Sequence, residues 1–140
     1  MDIPLVHVEV YKAPLEEVWE ALTDEDAMRI WYFPQLIRFK AIVGFEFVFS
    51  VDGSLYQKEW QVTKVEAGRL FAHSWTYKGY PGKSEVIFEV FEERDRTRLK
   101  VTHTGLASFP NDLHFARSRF EGGWKQILGS NLKNYLALSK

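Results

Sequence analysis

From Val43 to Leu106 the chain alternates, residue by residue, between two kinds of side chain. One parity carries Phe45, Phe47, Phe49, Lys58, Trp60, Val62, Phe71, His73, Trp75, Tyr77, Val86, Phe88, Val90, Leu99, Val101 and His103. The other carries Glu46, Glu59, Gln61, Thr63, Ser74, Thr76, Glu85, Glu89, Lys100, Thr102 and Thr104, with Val48, Leu55, Leu70, Ala72, Ile87 and Phe91 as apolar exceptions. A period of two means strands, and strands apolar on one side form an antiparallel sheet that is wet on the other. Such a sheet needs a cover. The cover must be unusual, because the face it meets is largely aromatic and includes a lysine and two histidines.

The turns divide this region into about six strands. Asp52-Gly53 reads as a two-residue hairpin turn, Glu66 to Arg69 as a looser one, and Glu93 to Arg96 as another. These turns predict registers. Val51 pairs with Ser54, Phe45 opposes Trp60, Val65 pairs with Leu70, and Trp60 opposes Trp75. Tyr77 pairs with Ser84, Trp75 opposes Val86, and Val86 opposes His103. One bulge would shift them. Before the sheet, Val6, Val8 and Val10 alternate with His7, Glu9 and Tyr11 as a first strand. Two short helices follow. Pro14, Glu16 and Glu17 suit the start of the first, with Val18, Trp19 and Leu22 as its stripe. Thr23 or Asp24 caps the second, Glu25 to Ile30, which "WYFP" ends.

The cover is the last helix, expected from about Asp112, its cap, to Leu138. Phe120, Trp124, Ile127, Leu128, Leu132, Tyr135 and Leu136 recur at helical spacing. Gly122, Gly123 and Gly129 interrupt it, each at a cost of about 1 kcal/mol relative to alanine. Two explanations suit a glycine there: the backbone approaches a neighbour closely, or volume is left open beneath it.

The chain has 140 residues, enough for one domain, 1–140, with a real core. Its net charge of −1, with no basic stretch interleaved with aromatics, gives no platform for nucleic acid. It has no cysteine, which removes disulfides and thiolate metal sites and fits a reducing cytoplasm. The N-terminal "MDIPLVHVEV" carries no signal-peptide pattern, and no run reaches the length of a membrane span. No nucleophile elbow, phosphate loop or zinc-protease motif occurs, and no cofactor is implied. His73 and His103, two strands and two residues apart, stand about 12 Å from each other, too far to share a metal.

"VHVEVYKAPLEEVWEALTDEDAMRIWY", Gly44-Phe45, "RLFAHSW", "TRLKVTHTGL" and "GGWKQILGSNLKNYL" stand in an order and spacing that resemble one family. It is the family of domains similar to the activator of the ninety-kilodalton heat-shock protein's ATPase. That family lies within the superfamily of the birch-pollen allergen, lipid-transfer domains of the steroidogenic-regulatory type and polyketide cyclases. The resemblance implies an α+β helix-grip fold: a curved antiparallel sheet wrapped around a long C-terminal helix, with a cavity between them for small apolar ligands. Many relatives read Trp-Trp where this chain has Trp31-Tyr32, which sets a hydroxyl near the expected cavity entrance. Relatives often carry a small residue where this chain has Trp60, so the pocket should be smaller or reshaped.

The inner face and the resemblance together nominate Trp31, Tyr32, Phe47, Lys58, Trp60, His73, Trp75, Tyr77, Phe88, His103, Phe120 and Trp124 as ligand contacts. His103 and Lys58 have the chemistry for acid–base work or for anchoring a ligand, but each also has a structural reading: a hydrogen-bonded core histidine, and a lysine reaching the rim. His114, Arg117 and Arg119 either line the mouth or lie on a solvated helix face. The expected role is binding of a small hydrophobic or aromatic molecule. Two alternatives stay open. One is a chaperone-associated module using an apolar convex face at Val48, Leu55, Ile87 and Phe91. The other is a cyclase- or hydrolase-type enzyme.

Overall fold

Residues 3–51, 53 and 55–138 are described by a computed structural model. Strand β1 (Leu5–Tyr11) leads to helices α1 (Leu15–Thr23) and α2 (Glu25–Trp31). Strands β2 (Leu36–Arg38), β3 (Val48–Phe49), β4 (Lys58–Glu59) and β5 (Val62–Glu66) follow. Three long strands, β6 (Leu70–Tyr77), β7 (Ser84–Glu93) and β8 (Arg96–Thr104), complete them. The main sheet is six-stranded, in the order β1-β8-β7-β6-β4, with β5 also on β6, while β2 and β3 form a separate pair. Every pairing is antiparallel. Strand β2, which has no clear alternation, was not expected from the sequence. The chain is α+β, with short helices near its start and a long one at its end.

The Val86–His103 pairing is as expected, and so is Trp60 beside Trp75, whose rings lie 4.3 Å apart. Three registers differ. The Phe47 N–H donates to Trp60 O, so Phe47 rather than Phe45 lies against Trp60. Trp75 pairs with Ser84, and His73 takes the place opposite Val86. Val65 pairs with Phe71, because a bulge between Val62 and Lys64 adds one residue to β5. His73, Val86 and His103 therefore share one row, without the offset of two residues. Two strand spacings, about 10 Å, still separate the histidines, again too far for a common metal. No metal-binding cluster occurs among the described residues. The expected Val51–Ser54 pair is not described, because Ser54 lies outside the described residues.

The cap of α2 is Asp24, which accepts from the Ala27 N–H at 2.9 Å. Asp112 does not cap the long helix. It caps a separate turn, Leu113–Phe115, by accepting from the His114 N–H. The long helix begins with α3 (Arg117–Gln126), widens into a π segment (Ile127–Leu132) and ends as α4 (Lys133–Leu138). Among the described residues no helix is long and apolar enough to cross a membrane.

The glycines have different explanations. A Cβ on Gly129 would stand 3.0 Å from Glu9 Oε1, so this glycine permits close approach to β1. Beside it the Tyr11 hydroxyl donates to Leu128 O at 2.7 Å, anchoring the π segment to the same strand. That contact explains why β1 turns His7, Glu9 and Tyr11 toward the helix and leaves Val6, Val8 and Val10 exposed. Around Gly122 and Gly123 a Cβ would meet nothing within 4 Å. Gly122 faces solvent. Gly122→Ala should therefore raise stability by about 0.5–1 kcal/mol in urea unfolding, the helix-propensity difference undiminished by any clash. A loss of stability would mean the helix needs glycine there.

Candidate functional site

The inward aromatics divide into a filled core and a cavity. Tyr32 sits in the core. Its ring stacks on Trp31 at 4.7 Å and lies 5.6–6.0 Å from Trp60, Phe88 and Trp124. The sequence places its hydroxyl near an entrance; instead α2 carries Tyr32 inward, and the hydroxyl meets His73 Nε2 at 2.9 Å. His73 Nδ1 lies 2.8 Å from Ser74 O, a group that only accepts. Nδ1 therefore holds the proton, and Nε2 accepts from Tyr32. Burial pushes the pKa of His73 down to about 3, so the ring stays neutral near pH 7. Trp60 stacks on His73 at 4.6 Å, filling space that a small residue would leave.

His103 is equally committed. The Trp124 indole N–H donates to His103 Nδ1 at 3.1 Å. Its Nε2–H then faces Ser84 Oγ at 2.9 Å, and that hydroxyl donates to Trp75 O. Both nitrogens are in use and the ring is fully buried. The acid–base role considered for His103 has no opening to a substrate here.

The cavity lies beside this core, under α3. Its volume is about 260 Å³, and its walls are Phe33, Trp75, Tyr77, Phe120, Gly123, Trp124 and Ile127, with Lys58, His114 and Arg119 also lining it. Five of the nominated residues meet there: Lys58, Trp75, Tyr77, Phe120 and Trp124. The other seven, Trp31, Tyr32, Phe47, Trp60, His73, Phe88 and His103, do not line it, because they fill the sheet's aromatic interior. Phe47 and Trp60 reach a wider, open cleft toward Glu46, Gln57 and Glu59. Lys58 is half-buried, with Nζ 4.5 Å above the Phe33 ring. Phe33 and Ile127 are not among the nominated contacts; His114 and Arg119, read from the sequence as lining the mouth or lying on a solvated face, line the cavity, and Gly123 stands in its wall. Ile127 was legible as the next position on the Phe120–Trp124 stripe, whereas Phe33 follows α2 in a segment without periodicity.

A larger groove, about 900 Å³, runs along Ile3, Leu106, Phe109 and Leu113 on the outside. It is the bigger concavity, but none of the nominated residues faces it. We place the candidate site in the smaller cavity, where strand and helix side chains from distant parts of the chain converge.

No curated protein matches the chain. Solved structures share its fold. Protein MLL2253 from Mesorhizobium loti is 22% identical, matched over 99% of both chains, with a TM-score of 0.77. CalU16 from Micromonospora echinospora is 24% identical, with 96% of this chain and 76% of that one covered and a TM-score of 0.72. The structure described as the Aha1 dimer from Colwellia psychrerythraea is 21% identical, over 99% of this chain and 98% of its own, with a TM-score of 0.75. At these identities the likeness is one of fold, the helix-grip arrangement. Residues 12–137 match the family model described as activator of Hsp90 ATPase homolog 1-like protein, and the chain belongs to that family.

Proposed function

We propose that the protein binds a small apolar, ring-bearing molecule in the cavity between the sheet and α3. The observation that carries this reading is Gly123. It stands in the wall with nothing within 4 Å of where a side chain would begin, although a helix interior disfavours glycine. The walls around it are aromatic, and a few polar groups converge at one side, the usual composition of a ligand site.

Gly123→Leu is the test. The new side chain enters open space, so urea unfolding should show a change within about 1 kcal/mol. Binding of a hydrophobic fluorescent probe, followed by Trp emission, should fall by about tenfold or more. Unchanged probe affinity in the folded variant would refute the assignment.

The chaperone-associated role is not favoured by the outer face. Val48 and Leu55 are exposed, but Ile87 and Phe91 are only partly so, and the Arg98 guanidinium lies 4.7 Å over the Phe91 ring. Charge therefore covers part of the apolar surface expected for that role.

A further inference from the structure

We propose that the ligand of this cavity is a flat aromatic carboxylate, its anionic group held at the mouth by Arg119, Lys58 and the Tyr77 hydroxyl. This rests on the reading of the cavity as a binding site and adds the charge of what enters it. Lys58, His114 and Arg119 line the cavity, and among the described residues no carboxylate does. They come from β4, from the turn Leu113–Phe115 and from the first turn of α3, so folding brings them together. Their fields overlap. The proton affinity of His114 is lowered first by burial, then by Arg119 and, more weakly, by Lys58, with Asp112 opposing.

Arg119 is the most telling of the three. A cation in the first turn opposes the helix dipole, and α3 has no acid there to offset it. Arg117, two residues earlier, is accounted for: it bonds to the carbonyls of Ile3 and Pro4 and to Glu121. Arg119 has no ion pair or side-chain hydrogen bond among the described residues. An anion at the mouth would meet its guanidinium. Inside, the Tyr77 hydroxyl accepts from Trp75 Nε1 at 2.9 Å. Its own proton has no acceptor among the described residues, although the side chain is buried. A carboxylate has two oxygens, one for the phenol proton and one for the cations. The volume, about 260 Å³, lies below the usual range for ligand pockets and suits one or two rings rather than a long acyl chain.

The test is calorimetric titration with 2-naphthoate and with 2-naphthamide, which differ in charge but hardly in shape. The acid should bind about tenfold tighter than the amide, the scale of one charge-assisted hydrogen bond. Arg119→Gln and Lys58→Gln should each remove most of that preference while leaving the amide's affinity as it was. Raising the salt should shrink the acid's advantage only. Equal affinity for acid and amide would overturn the anion assignment and leave the cavity reading standing. An equal loss of both in Arg119→Gln would do the same. If neither compound binds the folded wild-type protein, the cavity reading falls and this inference with it.

Discussion

Trp124→Ala should destabilise the protein by about 4–5 kcal/mol, near the top of the range for large-to-small core changes. Two costs combine. Trp124 is 1% exposed and meets the rings of Tyr32, Trp75, Phe88 and His103, so its removal opens a hole among residues that cannot easily collapse. Its indole N–H also donates to His103 Nδ1, which would be left buried without that partner. Trp124→Phe separates the two. It keeps most of the apolar area and loses the donor, so it should cost about 1–3 kcal/mol. Urea unfolding measures both. A loss under about 2 kcal/mol for the alanine variant would contradict the placement of Trp124 at the centre of the core.

The faces of the strands were legible in the sequence even where the registers were not. The Phe45–Trp60 and Trp75–Val86 expectations each missed by two residues, replaced by Phe47 against Trp60 and by Trp75 with Ser84. A shift of two leaves every side chain on its own face, because the period of a strand is two. The one odd shift, at Val65, is absorbed by the bulge between Val62 and Lys64. Hydrophobic pattern selects against a slip that would turn Trp60 or Phe71 outward, but it does not count hydrogen bonds along the strand.

Strand β1 shows where that pattern reaches its limit. Its valines face out and its His7 and Glu9 face the helix, because the edge strand meets a π segment at Gly129 and Leu128 rather than an apolar wall. Nothing within the strand records that partner. The candidate site was half legible for a related reason. Alternation shows that Tyr32's neighbours, Trp60 and Phe88, and the cavity residues Trp75 and Tyr77 all point inward. Whether inward volume is filled or empty depends on the sum of side chains from every element. Gly123 was the local trace of the empty part, and Lys58 the local trace of its polar rim.

Acid should weaken the fold through His73 well before most carboxylates titrate. In the native state both ring nitrogens are used in the neutral form, Nδ1–H to Ser74 O and Nε2 from the Tyr32 hydroxyl, and burial holds the pKa near 3. The unfolded chain binds a proton on this ring at its ordinary value of about 6.5. Below that pH the unfolded state carries a proton that the native state refuses, so stability falls as pH falls. The contribution is fully present above about 6.5 and is lost progressively toward about 3, at up to about 1.4 kcal/mol per pH unit. Over the whole window this amounts to about 5 kcal/mol. The comparison that isolates it is a double variant, Tyr32→Phe with His73→Phe, which removes both polar partners together and leaves neither unsatisfied. Between pH 6.5 and pH 5 the wild-type protein should lose about 1–2 kcal/mol more than the double variant in urea unfolding. Parallel slopes in the two proteins would show that His73 is protonated in the folded state, and that the Tyr32–His73 contact is not the neutral hydrogen bond described here.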